Sequence, residues 1–96
     1  MEELERWPVC RALRCYARHR PAVQFWLFGS VLRVPMPTDL DILAIYTDRQ
    51  DLVPVKAIVR FFNHRLPPVH LTAMTGDEER EYRFIETVGA QRLFVA

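Results

Sequence analysis

Cysteine, lysine and glycine are scarce in this chain, and long apolar runs are missing. Cys10 and Cys15 are the only thiols. They lie five apart in a predicted helix, with no further Cys or His pair at zinc spacing, so neither a disulfide framework nor a structural zinc site organises the fold. They read as ordinary, partly buried thiols. With only three Gly and no Gly/Ser tract, repeat or low-complexity segment, no flexible linker divides the chain. No apolar run approaches the roughly 18 residues of a membrane span. The opening Met-Glu-Glu-Leu-Glu is acidic, unlike a secretory signal, and the expected location is cytoplasmic. An excess of charge is missing too. Thirteen basic residues against twelve acidic leave a net +1, so charge alone calls for neither nucleic acid nor a membrane surface. Lys56 is the only lysine, and Arg supplies the other basic positions. Arg suits bidentate phosphate contacts, but an excess spread over the whole composition carries little weight.

Half of the 96 residues are apolar, enough for one small domain spanning residues 1–96 around a single core. That length is too short for a catalytic domain plus a separate substrate-recognition domain. Pro8 suits the opening turn of a helix running to about His19, with Val9, Leu13 and Tyr16 or Ala17 as its apolar stripe and Pro21 beyond its end. Arg11, Arg14 and Arg18 share one face of that helix, read as solvated in preference to a basic strip for a polyanion. Val23 to Phe28 and Leu40 to Tyr46 are apolar runs of strand length. Asp48 or Asp51 can cap a helix through about His64, with Val55, Ile58, Val59 and Phe62 inward. His19 and His64 fall near helix ends and read as structural or solvated, since positive charge is favourable there. Val69 to Met74 is a third strand, which the prolines at its start place at an edge or delay. Thr75 with Glu78 forms a capping-box pattern for a last helix, with Tyr82, Ile85 and Val88 or Gly89 inward. The pattern is α/β, a small mixed β-sheet flanked by helices. The tail from Gln91 is apolar and too short for a domain of its own.

The first strand stops at Gly29-Ser30, and eight residues later Asp39-Leu40-Asp41 enters the second. Gly29 frees the backbone for a tight turn and a close approach, and the helical turn from Ser30 to Arg33 offers amides to phosphate oxygens. Pro35-Met36-Pro37 keeps the chain extended up to Thr38. Two residues apart in a strand, Asp39 and Asp41 project to one side while Leu40 and Ile42 project to the other. Neighbouring carboxylates repel unless a cation lies between them, and a hard divalent ion bridging phosphate oxygens would relieve the repulsion.

In this order, Leu27-Phe28-Gly29-Ser30-Val31-Leu32-Arg33 followed by Pro37-Thr38-Asp39-Leu40-Asp41-Ile42-Leu43 resembles the nucleotidyltransferase superfamily that includes DNA polymerase beta, and within it the minimal nucleotidyltransferases. The resemblance covers Val23 to Tyr46, about a quarter of the chain. It implies the nucleotidyltransferase fold and Mg²⁺ or Mn²⁺ held by Asp39 and Asp41. It also implies a nucleoside triphosphate bound at Gly29, Ser30 and Arg33, with transfer of a nucleoside monophosphate to a hydroxyl. Stand-alone members are often encoded with a helical companion protein and act as antitoxins, which implies a protein acceptor or partner.

Two departures bear on this. The spacer is short, with no Gly after Arg33. At the place of the family's third acid, on the later strand, stands Val69-His70-Leu71. His70 joins Asp39 and Asp41 as a catalytic position, and the alternative it raises is a degenerate domain that binds nucleotide or partner without turnover. Asp77 or Glu78 could replace the missing acid only by folding back toward the cleft. A homo-oligomer is expected as well, with Trp7, Trp26, Phe94 and Val95 as a contact patch.

Overall fold

The computed structural model describes residues 6–65 and 67–93, so Met1 to Glu5, Leu66 and the expected contact residues Phe94 and Val95 lie outside the described residues. The first helix, α1 (Pro8–His19), begins with Pro8 in its first turn, where a missing N–H costs nothing. It buries Val9, Cys10, Leu13 and Ala17, while Tyr16 is half-buried and Arg11, Arg14 and Arg18 are exposed. The strands are β1 (Gln24–Phe28), β2 (Leu40–Tyr46), β3 (Val69–Thr75) and β4 (Gln91–Arg92). The helix α2 (Leu52–Phe62) carries the chain from β2 to β3, and α3 (Gly76–Tyr82) and α4 (Phe84–Val88) lead on to β4.

These strands form one mixed sheet in the order β3-β2-β1-β4. β1 pairs antiparallel with both β2 and β4, and β2 pairs parallel with β3. A parallel pair needs a crossover, and α2 supplies it. The fold class is therefore the small mixed α/β arrangement that the sequence predicts. Of the two expectations for β3, an edge position or a delayed start, the edge holds. Pro68 lends its carbonyl to the Leu40 N–H at 2.9 Å, and the Asn63 side chain accepts the Val69 N–H at 2.8 Å, so the strand starts cleanly right after the prolines.

One face of the sheet carries the core. Phe25 and Leu27 of β1 and Leu40, Ile42 and Ala44 of β2 are buried with α1 residues and with Val55 and Val59 of α2. Burying a Leu or Phe side chain contributes about 1.5–3 kcal/mol, so this face dominates stability. Asp41 pairs in register with Phe28 on one side and His70 on the other. Cross-strand partners share a face, so these three occupy the side opposite Ile42.

Several expectations need correction. Of the two caps proposed for α2, Asp48 is the one that caps, accepting the Gln50 N–H at 2.9 Å in a 3-10 turn (Arg49–Asp51) that precedes the helix. Asp51 instead turns inward and is 3% exposed. The Thr75–Glu78 capping box forms, but the expected last helix divides in two. Arg83 adopts φ 53°, and the Glu79 carboxylate accepts the Ile85 N–H at 3.0 Å, giving α4 its own N-terminal partner. The division turns Tyr82 outward, 63% exposed. The tail does more than trail: β4 adds to β1, the Leu93 N–H donates to the Phe25 carbonyl at 2.9 Å, and Leu93 is fully buried. Trp7 and Trp26 are half-buried beneath the Arg6 and Arg92 guanidinium groups. Among the described residues, the most exposed large apolar side chains are Met36, Val53, Phe61 and Tyr82. No helix among the described residues is long and apolar enough to cross a membrane.

Candidate metal centre and phosphate turn

Gly29 ends β1 with φ +83°, a left-handed conformation that side chains disfavour. The space above it is taken. A Cβ at this position would lie 3.3 Å from Asp41 Cγ and collide with Oδ2 of the same carboxylate. Asp41 thus rests on the bare Gly29 backbone, so the residue type at 29 decides whether the carboxylate can occupy its place.

Asp39, just ahead of β2, and Asp41, its second residue, retain 29% and 23% side-chain exposure. They are partly desolvated and still reachable from solvent. Burial, and next the charge of Asp39, raise the pKa of Asp41 above the ordinary carboxylate value, with His70 acting in the opposite direction. The parallel register of β2 and β3 sets His70 directly beside Asp41. Its Nδ1 lies 3.5 Å from Asp39 Oδ2 and 3.6 Å from Asp41 Oδ1, while the ring is 62% exposed. Donor atoms of the three side chains all fall within 4.8 Å of one another. The two His70 separations are longer than an ordinary hydrogen bond.

Ser30 follows Gly29 in the 3-10 turn Gly29–Leu32, and its carbonyl accepts the N–H groups of Arg33 and Val34, both at 2.9 Å. Its hydroxyl is shielded from solvent and has no hydrogen-bond partner among the described residues. An orphaned hydroxyl costs about 1–3 kcal/mol, which a ligand oxygen or water would offset. The Arg33 side chain is exposed and lines a groove of about 240 Å³ with Arg6, Trp7, Val31, Leu32, Val34 and Pro35. His19 and His64 are exposed, away from the triad.

Asp77 and Glu78 cannot supply a third acid. They follow the far end of β3, and at about 3.3 Å per residue the run from His70 to Gly76 spans roughly 20 Å. Both are also engaged locally, Asp77 by Arg80 and Glu78 by Thr75.

The donor set fits one divalent ion between the strands. It does not fit the pair of all-oxygen Mg²⁺ sites that the resemblance implies, because the third position offers imidazole nitrogen, a poor ligand for Mg²⁺.

The sequence reading missed a second polar cluster. Tyr16 of α1 donates a short hydrogen bond to Asp51, and Arg20 pairs with the same carboxylate at 3.0 Å. Burial and the Asp51 hydrogen bond push the Tyr16 pKa up to about 12. This cluster fastens α1 to the start of α2. Its one signal in the sequence, a Tyr on the stripe of α1, was absorbed there as an apolar position. Compared with known proteins, the chain matches no family model, no curated protein and no solved structure.

Proposed function

We propose that this domain binds a nucleoside triphosphate with a divalent ion and transfers a nucleoside monophosphate to a hydroxyl. The observation that carries the proposal is the meeting of Gly29, Asp41, Asp39 and His70 at one end of the sheet, with Asp41 resting on Gly29. The phosphate is assigned to the turn after Gly29, where the Ser30 amide and its hydroxyl, shielded and unpartnered among the described residues, would turn to the phosphate oxygens. Asp39 and Asp41 would hold the ion, which when bound neutralises phosphate charge and orients the reacting oxygens. In the transfer, the acceptor oxygen bonds to the α-phosphorus as the bond to pyrophosphate breaks. The hydroxyl proton passes to the cluster of Asp39, Asp41 and His70.

Arg33 is assigned the polyphosphate tail through side-chain motion across its exposed groove. The acceptor is assigned to a partner protein, a helical companion toward which this domain would act as antitoxin, or to a second copy of the chain, and the setting is cytoplasmic. Calorimetry of the purified chain with NTP and metal tests the binding step. Binding is expected for the wild type and lost with Asp39→Asn plus Asp41→Asn; equal binding by both would remove the site. A second reading, binding without turnover, is favoured by the imidazole at the third position. It is separated by His70→Asp, which should raise labelled-nucleotide transfer by on the order of 10²–10⁴ if the wild type has lost its base.

A further inference from the structure

We infer that the Asp39–Asp41–His70 cluster is a three-ligand site for a single tetrahedral, nitrogen-accepting ion of the Zn²⁺ class, and that Mg²⁺ is not its metal. The inference deepens the proposed function at the same site, and rests on it only in that both need the two carboxylates to face a ligand. Geometry distinguishes the metals. Donors about 2.0–2.2 Å from a tetrahedral ion stand about 3.3–3.6 Å apart. Neighbouring donors about 2.0–2.1 Å from octahedral Mg²⁺ stand closer, at about 2.8–3.0 Å. The His70 nitrogen lies 3.5 and 3.6 Å from the two carboxylate oxygens, so both edges that include the imidazole fall in the tetrahedral range, and all three donors lie within 4.8 Å of one another.

Donor chemistry agrees. Imidazole suits Zn²⁺ and its neighbours, whereas Mg²⁺ selects oxygen and holds its waters. Three protein donors leave a fourth position, the arrangement of catalytic rather than structural zinc. The 62% exposure of the His70 side chain keeps that side open to solvent. A phosphate oxygen or an acceptor hydroxyl fits the fourth position.

The test uses the full chain freed of metal with a chelator and contains no nucleotide. Calorimetric titration with ZnCl₂, CoCl₂ and MgCl₂ should give one site that binds Zn²⁺ roughly 100-fold or more tighter than Mg²⁺. Bound Co²⁺ should show the intense visible absorption of a tetrahedral complex. His70→Ala should weaken Zn²⁺ by at least about 10-fold, and His70→Asp should shift preference toward Mg²⁺. Because the ring is largely exposed, both variants should fold, which circular dichroism checks. Asp39→Asn with Asp41→Asn should abolish binding, separating the cluster from Cys15, His19 and His64. Mg²⁺ binding within tenfold of Zn²⁺, or Zn²⁺ affinity unchanged in His70→Ala, would overturn the inference. Selective Zn²⁺ binding without any nucleotide binding would leave it standing and remove the proposed function instead.

Discussion

Replacing Gly29 by Ala should damage both stability and the site, and Gly89 provides the internal control. Each glycine has positive φ, +83° at Gly29 and +66° at Gly89, so an added methyl meets comparable backbone strain, about 1–2 kcal/mol for a left-handed residue. Reduced freedom of the unfolded chain returns about 0.4–1 kcal/mol in both cases. Only their surroundings differ. Nothing lies within 4 Å of a Cβ at Gly89, whereas at Gly29 it meets the Asp41 carboxylate. To escape, that carboxylate must leave its rotamer, costing about 0.5–1.5 kcal/mol more. Gly29→Ala is therefore expected to lose about 1 kcal/mol beyond Gly89→Ala, a further Tm drop of about 4–8 °C in a domain of this size. Denaturant melts of both variants give the comparison, and metal titration gives a second readout. Displacing Asp41 should weaken metal binding in Gly29→Ala and leave it intact in Gly89→Ala. Adding Asp41→Ala should cancel the extra cost, since the cycle isolates that one contact. If Gly29→Ala melts with Gly89→Ala and binds metal normally, the carboxylate does not rest on the glycine and the reasoning fails.

Asp51→Ala should destabilise by roughly 1–3 kcal/mol in urea melts, because it leaves the part-buried Tyr16 hydroxyl without its partner while the exposed Arg20 turns to water; Tyr16→Phe should cost less, since Asp51 keeps Arg20. The Tyr16 pKa is raised from 10.0 to about 12, so its contribution is fully present below pH 10 and lost as pH rises toward 12. Stability measured across that window should fall more steeply in the wild type than in Tyr16→Phe, and parallel curves would contradict the assignment. Without metal, Asp41 has a raised pKa, so its contribution is present below the unfolded value of 3.8 and lost as pH rises through the folded one. Asp39→Asn should accordingly raise the Tm of the chelator-treated protein at neutral pH by removing like-charge repulsion, and a lower Tm would count against the close carboxylate pair.

Much of the scaffold was legible because local chemistry and tertiary packing agreed. Pro8 suited the opening of a helix, Thr75 and Glu78 matched a capping box, and the alternation around Asp39-Leu40-Asp41 separated the carboxylates from the core. The division at Arg83 was not legible, since no Gly or Pro marks it; the Glu79 carboxylate, six residues before Ile85, holds the new N-terminus through the Ile85 N–H. β4 was missed because two residues carry no periodicity, and their strand conformation comes from pairing with β1. Asp51 was read as a cap since sequence distance hides Tyr16 and Arg20, its partners on another helix.

The same division holds at the candidate site. The sequence by itself determined the donor types, the glycine ahead of them and the shared face of the two aspartates, because strand period two is a local property. The resemblance placed His70 with the two aspartates; only the tertiary structure decided how the three meet and that Asp77 and Glu78 stay away. Parallel pairing of β2 with β3 sets residue 70 opposite residue 41, and the length of β3 carries the later acids away. It alone decided, too, that the bare backbone at residue 29 makes room for a carboxylate from the neighbouring strand. Register between strands is fixed by burial of a common face, and no single strand contains that information.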